Sequence, residues 1–348
     1  MLQASENRAI NDTSGKPRRI LLIINPISGT LSKEGLSERV IARLQREGFV
    51  VESAITERAG HGYELARNAA ERGYYGVIAA GGDGTVNEIA SALRGTRTIM
   101  GILPFGSGNG LARHLYGSID VDHALETIAL DCPQSCDYGT INGNPFFCTF
   151  GLGFDAKVSQ KFSSLPSRGL TTYIKSAIQE YLRFSPTEYS IKSADKEITV
   201  KAFIVAVCNA SQYGNNAFIA PHASIRDGLL DIMIIHKGNP LTRALAGVEL
   251  FTGRLDRNLL METMRVREAT IKHIPGPGHI DGEPVMTPET LRIECHKGGL
   301  QLFYDPAKPP FRPFITPIES LRTDYRYVIK EKFRTTIKRV RTGLKKFF

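Results

Sequence analysis

No stretch of this 348-residue sequence supplies the about 20 consecutive apolar residues that a membrane-crossing helix needs. Its most apolar windows, Ala202 to Cys208 and Leu229 to Ile235, are strand-sized. The opening stretch from Met1 to Pro17 is polar and lacks the apolar segment of a secretory leader. Such a chain can reach lipid only from the surface of a bilayer. Cysteine is scarce, and its five copies form an odd number without paired spacing. Cys132 and Cys136 stand four apart with no second pair to complete a zinc site. The expectation is small buried thiols in a reducing cytosol, without a disulfide framework. No G-x-x-x-x-G-K-[ST] run occurs, which excludes a P-loop enzyme.

A net excess of positive charge is lacking in the body and concentrated at the end. The formal net charge is +9. Between Arg326 and Phe348 stand Arg326, Lys330, Lys332, Arg334, Lys338, Arg339, Arg341, Lys345 and Lys346 against Glu331 alone. The remainder is close to neutral, so the footprint of a general nucleic-acid binder is absent. With 42% hydrophobic and 23% charged residues, the composition is that of a globular protein, and the length suggests two domains.

Strand-like and helix-like stretches alternate through the first third. Arg19 to Asn25, Phe49 to Thr56, Tyr75 to Ala80 and Thr98 to Leu103 read as strands. Gly35 to Glu47, His61 to Arg72 and Thr85 to Leu93 carry helical periodicity. This alternation predicts an α/β domain over residues 18–131 with a parallel, Rossmann-like sheet and right-handed crossovers. Residues 132–305 hold short β-rich stretches interrupted by one helical stretch, Gly169 to Phe184. They predict a second, mostly antiparallel domain. Pro306, Pro309, Pro310, Pro313 and Pro317 mark a connector over 306–324, and residues 325–348 form a tail helix.

Three glycine-bearing loops follow three of the predicted strands. They are Asn25-Pro26-Ile27-Ser28-Gly29, Gly81-Gly82-Asp83-Gly84-Thr85 and Pro104-Phe105-Gly106-Ser107-Gly108-Asn109. Asn87 and Glu88 lie just inside the helix after the second loop. A phosphate needs backbone N–H donors that approach closely, and glycine removes the side chains that would block them. Parallel sheets bind ligands beyond the carboxyl ends of their strands, where these loops collect. Each loop alone also reads as a tight turn; the three together point to a polyphosphate. Gly151 to Ala156 matches a dinucleotide G-x-G-x-x-A but sits in the β-rich half, outside the expected βα setting.

The order NPxSG, GGDGT, PxGSGN, then Asp227-Gly228-Leu229-Leu230-Asp231 and Asp281-Gly282-Glu283, resembles the diacylglycerol kinase catalytic family. That family includes sphingosine kinases and bacterial lipid kinases and has a NAD kinase-like fold; the likeness runs from about Arg19 to Tyr304. It implies ATP in a cleft between two domains, surrounded by Asn25, Ser28, Gly82, Asp83, Gly84, Thr85, Gly106, Ser107 and Asn109, with Glu88 supporting the second loop. By the same resemblance Asp83 serves Mg²⁺ or the acceptor hydroxyl, and Glu283 is a second carboxylate and candidate general base. Asp227 and Asp231 fall where some bacterial members hold a structural Mg²⁺; they read equally as a turn beside a strand. Arg168 lies near where sphingosine kinases carry phosphate-contacting arginines, or is a solvated loop residue. The form of Gly106 to Ala112 is similar to the sphingosine kinase branch, which implies a sphingoid base at least as good an acceptor as diacylglycerol.

In the tail, Tyr325, Ile329, Phe333, Ile337, Val340, Leu344 and Phe348 recur at spacings of four and three, with basic residues beside and opposite them. This pattern predicts an amphipathic helix lying on an anionic membrane surface at its cytoplasmic face. A helix docked on the protein's own core would carry the same pattern. The sequence therefore reads as an ATP- and Mg²⁺-dependent kinase of a membrane lipid. Two other readings stay open: a NAD kinase-like enzyme with a soluble acceptor, and an inactive lipid-binding module. Oligomeric state is not encoded in any pattern found.

Overall fold

The computed structural model of the chain describes residues 17–29, 31–163, 184–305, 307 and 311–344. Four parallel strands form its first half: β1 (Arg19–Ile24), β2 (Val50–Ile55), β3 (Gly76–Gly81) and β4 (Ile99–Pro104), in the order β2-β1-β3-β4. Every residue of β3 and β4 is buried, as expected where helices cover both faces. Helix α1 (Leu36–Gln45) turns Leu36, Val40 and Leu44 inward at intervals of four. Helix α2 (His61–Glu71) and α3 (Asp83–Leu93) pack beside each other. Two further helices, α4 (Gly110–Tyr116) and α5 (Val121–Ala129), complete this half. Asp120 caps α5 by accepting from the backbone N–H groups of Asp122 and His123.

The second half is antiparallel. Strand β5 (Pro133–Ile141) runs against the long β15 (Thr290–Phe303), which also touches β4 in parallel at Leu302–Met100 and so joins the two halves into one sheet system. Strands β6 (Asn144–Phe146), β7 (Thr149–Gly153), β8 (Thr187–Ser193), β9 (Glu197–Cys208), β10 (Leu230–His236), β11 (Met261–Val266) and β12 (Glu268–His273) follow. The hairpin of β13 (Gly276–Ile280) and β14 (Glu283–Thr287) edges the sheet, with β13 paired to β7. The fold is thus a parallel Rossmann-like sheet joined to a mostly antiparallel one. The five thiols are unpaired, with Cys136, Cys148 and Cys208 buried.

Four helices, α4 and α5 in the first half and two in the second, were not visible in the sequence pattern. Helix α6 (Phe154–Ser163) follows β7 directly, so the Gly151 to Ala156 pattern does have a strand-then-helix setting. Its glycine serves another end: a Cβ on Gly151 would stand 2.2 Å from His279 Nε2 and 2.3 Å from Asp155 Oδ2. The space a dinucleotide would require is filled by those side chains. Helix α7 (Pro240–Thr252) packs Ala246 and Leu250 on β9 and β10. The expected helical stretch from Gly169 to Phe184 lies almost wholly outside the described residues.

The last helix, α8 (Ile315–Leu344), starts ahead of the boundary expected at Tyr325. Pro317 sits in its first turn, where proline costs no hydrogen bond. At about 100° per residue, Pro317, Ser320, Asp324, Tyr327 and Glu331 share one side, and that side docks on the first half of the chain. Tyr327 is 2% exposed within the core there. Asp324 accepts from Arg113 Nη1 at 2.6 Å and from the Ile119 N–H at 2.9 Å. Lys330 and Arg334 reach Asp122 at 2.8 and 3.3 Å. Part of the basic density of the tail therefore serves docking. Ile318, Leu321, Tyr325 and Ile329 occupy roughly the opposite side and are 46% to 70% exposed. Of the expected stripe, Tyr325 and Ile329 face outward, while the side chains of Phe333, Ile337, Val340, Leu344 and Phe348 lie outside the described residues.

Candidate active site

Each of the three glycine loops leaves the carboxyl end of a parallel strand, and they converge through contacts that tolerate no side chain. Gly29 has φ +65°, and a Cβ there would stand 1.6 Å from the Phe105 carbonyl oxygen. A Cβ on Gly106 would stand 2.4 Å from Gly82 Cα. The first and second loops are tied by Asn25 Nδ2, which donates to Thr85 Oγ1 at 2.9 Å. Ser28 donates to the Asn25 carbonyl at 3.2 Å and lies half-buried, while Ser107 is exposed at the crest of the third loop.

Asn109 closes the third loop on itself. Its Oδ1 accepts from Gly106 N–H and its Nδ2 donates to Gly106 O, both at 2.8 Å. With Asn109 at φ +54°, its own N–H and that of Gly110 turn toward Asp83. They donate to Asp83 Oδ2 at 2.8 Å and Oδ1 at 2.7 Å. The residue keeps some surface, but its carboxylate lies deep among protein atoms. Burial pushes its pKa up to about 6, against the pull of those two N–H donors.

Glu283 arrives from the other half of the chain. Its Oε1 would lie 3.8 Å from a Cβ on Gly84, so the second carboxylate stands against the GGDGT loop. The turn that carries it, Asp281-Gly282, is held from several sides. Asp281 accepts from the N–H groups of Phe147, Cys148 and Thr149 at 2.8 to 2.9 Å, and from Asn87 Nδ2 at 2.8 Å. Ser159 on α6 donates to Gly282 O at 2.6 Å. One position before Ile280, buried His279 lies 3.2 Å from Asp155 Oδ2, which also accepts from Tyr213 OH at 2.7 Å.

The remaining expected residues sit as follows. Glu88 faces away from the loops: its two carboxylate oxygens accept from Gly60 and Gly62 N–H at 2.8 and 3.2 Å, capping the start of α2. It holds α2 against α3 and makes no approach to the phosphate loops through those atoms. Arg168 lies outside the described residues. Asp227 and Asp231 both face the Arg265 guanidinium, which bonds Asp227 and brings Nε within 3.4 Å of Asp231 Oδ1. A divalent cation between these carboxylates would meet that positive charge, so the pair does not fit a structural Mg²⁺ in this chain. Among the described residues no cluster of three or more His, Cys, Asp or Glu has the form of a metal site.

Three contributors escaped sequence reasoning. Lys33 lies beside the first loop, donating to Ser28 O with its ammonium 5.0 Å from the Phe105 ring centre, and burial lowers its pKa. Asn87 and Asp281 stand inside recognised motifs, yet their pairing across the two halves has no local signal. The Asp155–His279 contact was hidden because Gly151 to Ala156 imitates a cofactor motif.

Residues 19–141 match the diacylglycerol kinase catalytic domain family, and residues 149–304 match the YegS C-terminal NAD kinase beta sandwich-like domain. A Chromohalobacter salexigens protein named "Probable lipid kinase YegS-like" is 30% identical over 81% of this chain and 91% of its own length. The protein of Bacillus subtilis named diacylglycerol kinase is 29% identical over 64% of this chain and 75% of its own length. The fold is also that of a crystal structure of a diacylglycerol kinase from Bacillus anthracis, with TM-score 0.63 and 20% identity over 83% of this chain and 98% of that one. With its two halves matched in order and its glycine loops in mutual contact, the chain belongs to the diacylglycerol kinase catalytic and YegS-like family of lipid kinases, phosphotransferases that use ATP.

Proposed function

We propose that the chain transfers the γ-phosphoryl group of ATP to the hydroxyl of a glycerolipid such as diacylglycerol, working at an anionic membrane surface. The observation that carries this reading is Glu283 Oε1 standing against Gly84, the residue after Asp83, beside three converging glycine loops. Phosphoryl transfer asks mainly for positioning and charge neutralisation. Backbone N–H groups of the loops and the Lys33 ammonium serve the phosphates. Asn25, Ser28, Gly82, Gly84, Thr85, Gly106, Ser107 and Asn109 shape the nucleotide pocket.

Asp83 takes the proton of the acceptor hydroxyl. A general base works best with a pKa near the operating pH, and burial has raised that of Asp83 to about 6. Glu283 closes the site from the acceptor side, and cleft closure brings the two carboxylates into register. Asp83 has both oxygens engaged by backbone N–H groups, so Glu283 is the carboxylate that would offer Mg²⁺ the hard oxygen it takes alongside phosphate oxygens. When bound, the ion would offset the negative charge of the transferring group.

The names of the relatives favour a glycerolipid over the sphingoid base expected from the Gly106 to Ala112 form. Surface action is supported by α8, whose Ile318, Leu321, Tyr325 and Ile329 face outward, and by the basic C-terminal sequence that follows them. Among the described residues no helix is long and apolar enough to cross a membrane. The test is a screen of lipid alcohols in detergent micelles with labelled ATP, including diacylglycerol, ceramide and a sphingoid base. Labelled phosphatidate from diacylglycerol, lost with Asp83→Asn, is expected. ATP turnover only with a soluble acceptor would overturn the reading.

A further inference from the structure

Helix α7 is inverted relative to an ordinary surface helix. Its inner side carries Ala246 and Leu250. Its outer side carries Leu241, Leu245, Val248 and Phe251, at spacings of four and three, exposed by 79%, 53%, 60% and 40%. Leu259, just beyond it, is fully exposed. An apolar stripe of this kind on both sides of a helix needs a cover other than water. The stripe also does not end with α7. Phe314 N–H donates to Thr252 O at 2.9 Å, and the Arg254 guanidinium lies 5.3 Å from the Phe314 ring centre. The carboxyl end of α7 therefore meets the start of α8, where Phe314, Ile318 and Leu321 continue the exposed apolar surface.

We propose that α7 is a second membrane-docking element, so that the acceptor half of the chain seats on an anionic bilayer together with α8. The inference deepens the lipid kinase reading and rests on it. Charge selects the occupant. The acids beside the stripe are each engaged: Glu249 with Asn258, Asp256 with His222 and Glu319 with Arg312. Lys237, Arg257, Arg322 and Arg326 are exposed around it. An anionic lipid surface complements such an arrangement, whereas a second copy of the chain would bring like charge against like. Position agrees with charge. Leu250 of α7 packs in the same cluster as Phe154, whose neighbour Asp155 contacts His279 beside the Glu283 turn. A lipid rising beneath α7 would thus approach the catalytic carboxylates from the acceptor side.

The chain has no tryptophan, so one introduced indole reports its own surroundings. In the full chain, Leu245→Trp mixed with phosphatidylcholine–phosphatidylglycerol vesicles is expected to shift its emission to the blue and to be quenched by brominated acyl chains. Tyr325→Trp on α8 should respond likewise, and Val50→Trp on the far edge strand should not. The double variant Leu241→Ser, Leu245→Ser should bind these vesicles about tenfold more weakly and phosphorylate detergent-dispersed short-chain diacylglycerol at the wild-type rate. A silent Leu245→Trp beside a responsive Tyr325→Trp would confine docking to α8 and overturn the proposal. A blue shift that grows with protein concentration without vesicles would assign the stripe to self-association and overturn it too. A vesicle-dependent shift in a protein that phosphorylates no dispersed lipid would sink the kinase reading and leave this surface standing.

Discussion

The side-chain amide of Asn87, on α3 behind the GGDGT loop, donates to Asp281 at 2.8 Å across the junction of the two halves. This bond ties the loop that carries Asp83 to the turn that carries Glu283. Asp281 is loaded on both oxygens, two N–H donors to each. Asp281→Ala should leave the three backbone donors of Phe147, Cys148 and Thr149 unsatisfied, at about 1–3 kcal/mol each, and collapse the fold near room temperature. Asn87→Ala removes one donor to a charged acceptor, so a loss of about 1.5–3 kcal/mol is expected, with kcat lowered further than stability explains. Urea midpoints and kcat on dispersed lipid check this. A variant of Asn87 with normal kcat would mean that the two carboxylates are aligned by other contacts.

The titration of Asp83 has two consequences with defined signs. As the base, it must be ionised, so kcat should rise with pH to about 6 and then level off. Its folded pKa lies above the ordinary 3.8, so between these values the native state holds the proton more tightly than the unfolded chain. Stability from this group is therefore present at low pH and declines as pH rises from about 4 to about 6. A shift of this size corresponds to about 3 kcal/mol. Asp83→Asn should gain on the wild type by about that amount between pH 4 and pH 7, measured by urea unfolding at both. A difference constant across that range would remove the raised pKa from the account.

The GGDGT and GSGN loops were legible because close backbone contact forces glycine, and a forced residue type leaves a mark on sequence. Three of the four parallel strands were legible from apolar runs, and the edge strand β2, which carries Glu52 and Ser53, from its alternation. What joins the halves was not: Asn87 and Asp281 are 194 positions apart, and no spacing rule reaches that far. Helix α7 was missed because its outward side is apolar, which erases the amphipathic alternation that marks a helix. Of the tail's expected stripe, Tyr325 and Ile329 are exposed, and the side that docks mixes Tyr327 with polar residues. Ser320 and Asp324 look like solvated residues until Arg113 is found beneath them.

Helix α6 gives a prediction about positioning. Ser159 holds the Gly282 carbonyl and Asp155 holds His279, both beside Glu283 without touching its carboxylate. Ser159→Ala should lower kcat several-fold with the KM for ATP unchanged, because the nucleotide loops lie elsewhere. Ser159→Thr, which keeps the hydroxyl, should restore much of the rate. Equal loss in both variants would point to packing rather than to the hydrogen bond.

The Asp227, Asp231 and Arg265 cluster makes a prediction about metal. With Arg265 between the carboxylates, the melting temperature should be the same with excess EDTA as with millimolar Mg²⁺ in the absence of nucleotide. Arg265→Leu leaves two carboxylates facing each other, so that variant should melt lower in EDTA and recover with Mg²⁺. A wild-type protein that loses several degrees in EDTA would restore the structural cation at this site.

The last prediction concerns Arg113, which touches both the nucleotide loop and the tail. Its Nε donates to Gly108 O at 3.1 Å, while Nη1 donates to Asp324 on α8 at 2.6 Å. The pair is nearly buried, with side chains 6% and 11% exposed. Removing one partner of such a pair costs about 3–5 kcal/mol, because the other charge stays behind without water. Asp324→Ala should therefore destabilise the protein by that order, loosen α8 and release the guanidinium from its fixed pose at Gly108. The KM for ATP should rise as the GSGN loop loses its brace. Arg113→Lys separates the two effects: an ammonium can still meet Asp324 but cannot span both acceptors as a planar fork does. That variant should keep most of the stability and raise the KM for ATP. Truncation after Arg334 leaves Asp324, Tyr327 and Lys330 in place and should alter neither. An unchanged KM in Asp324→Ala, with stability lost, would mean that the tail helix only props the fold and does not report to the nucleotide.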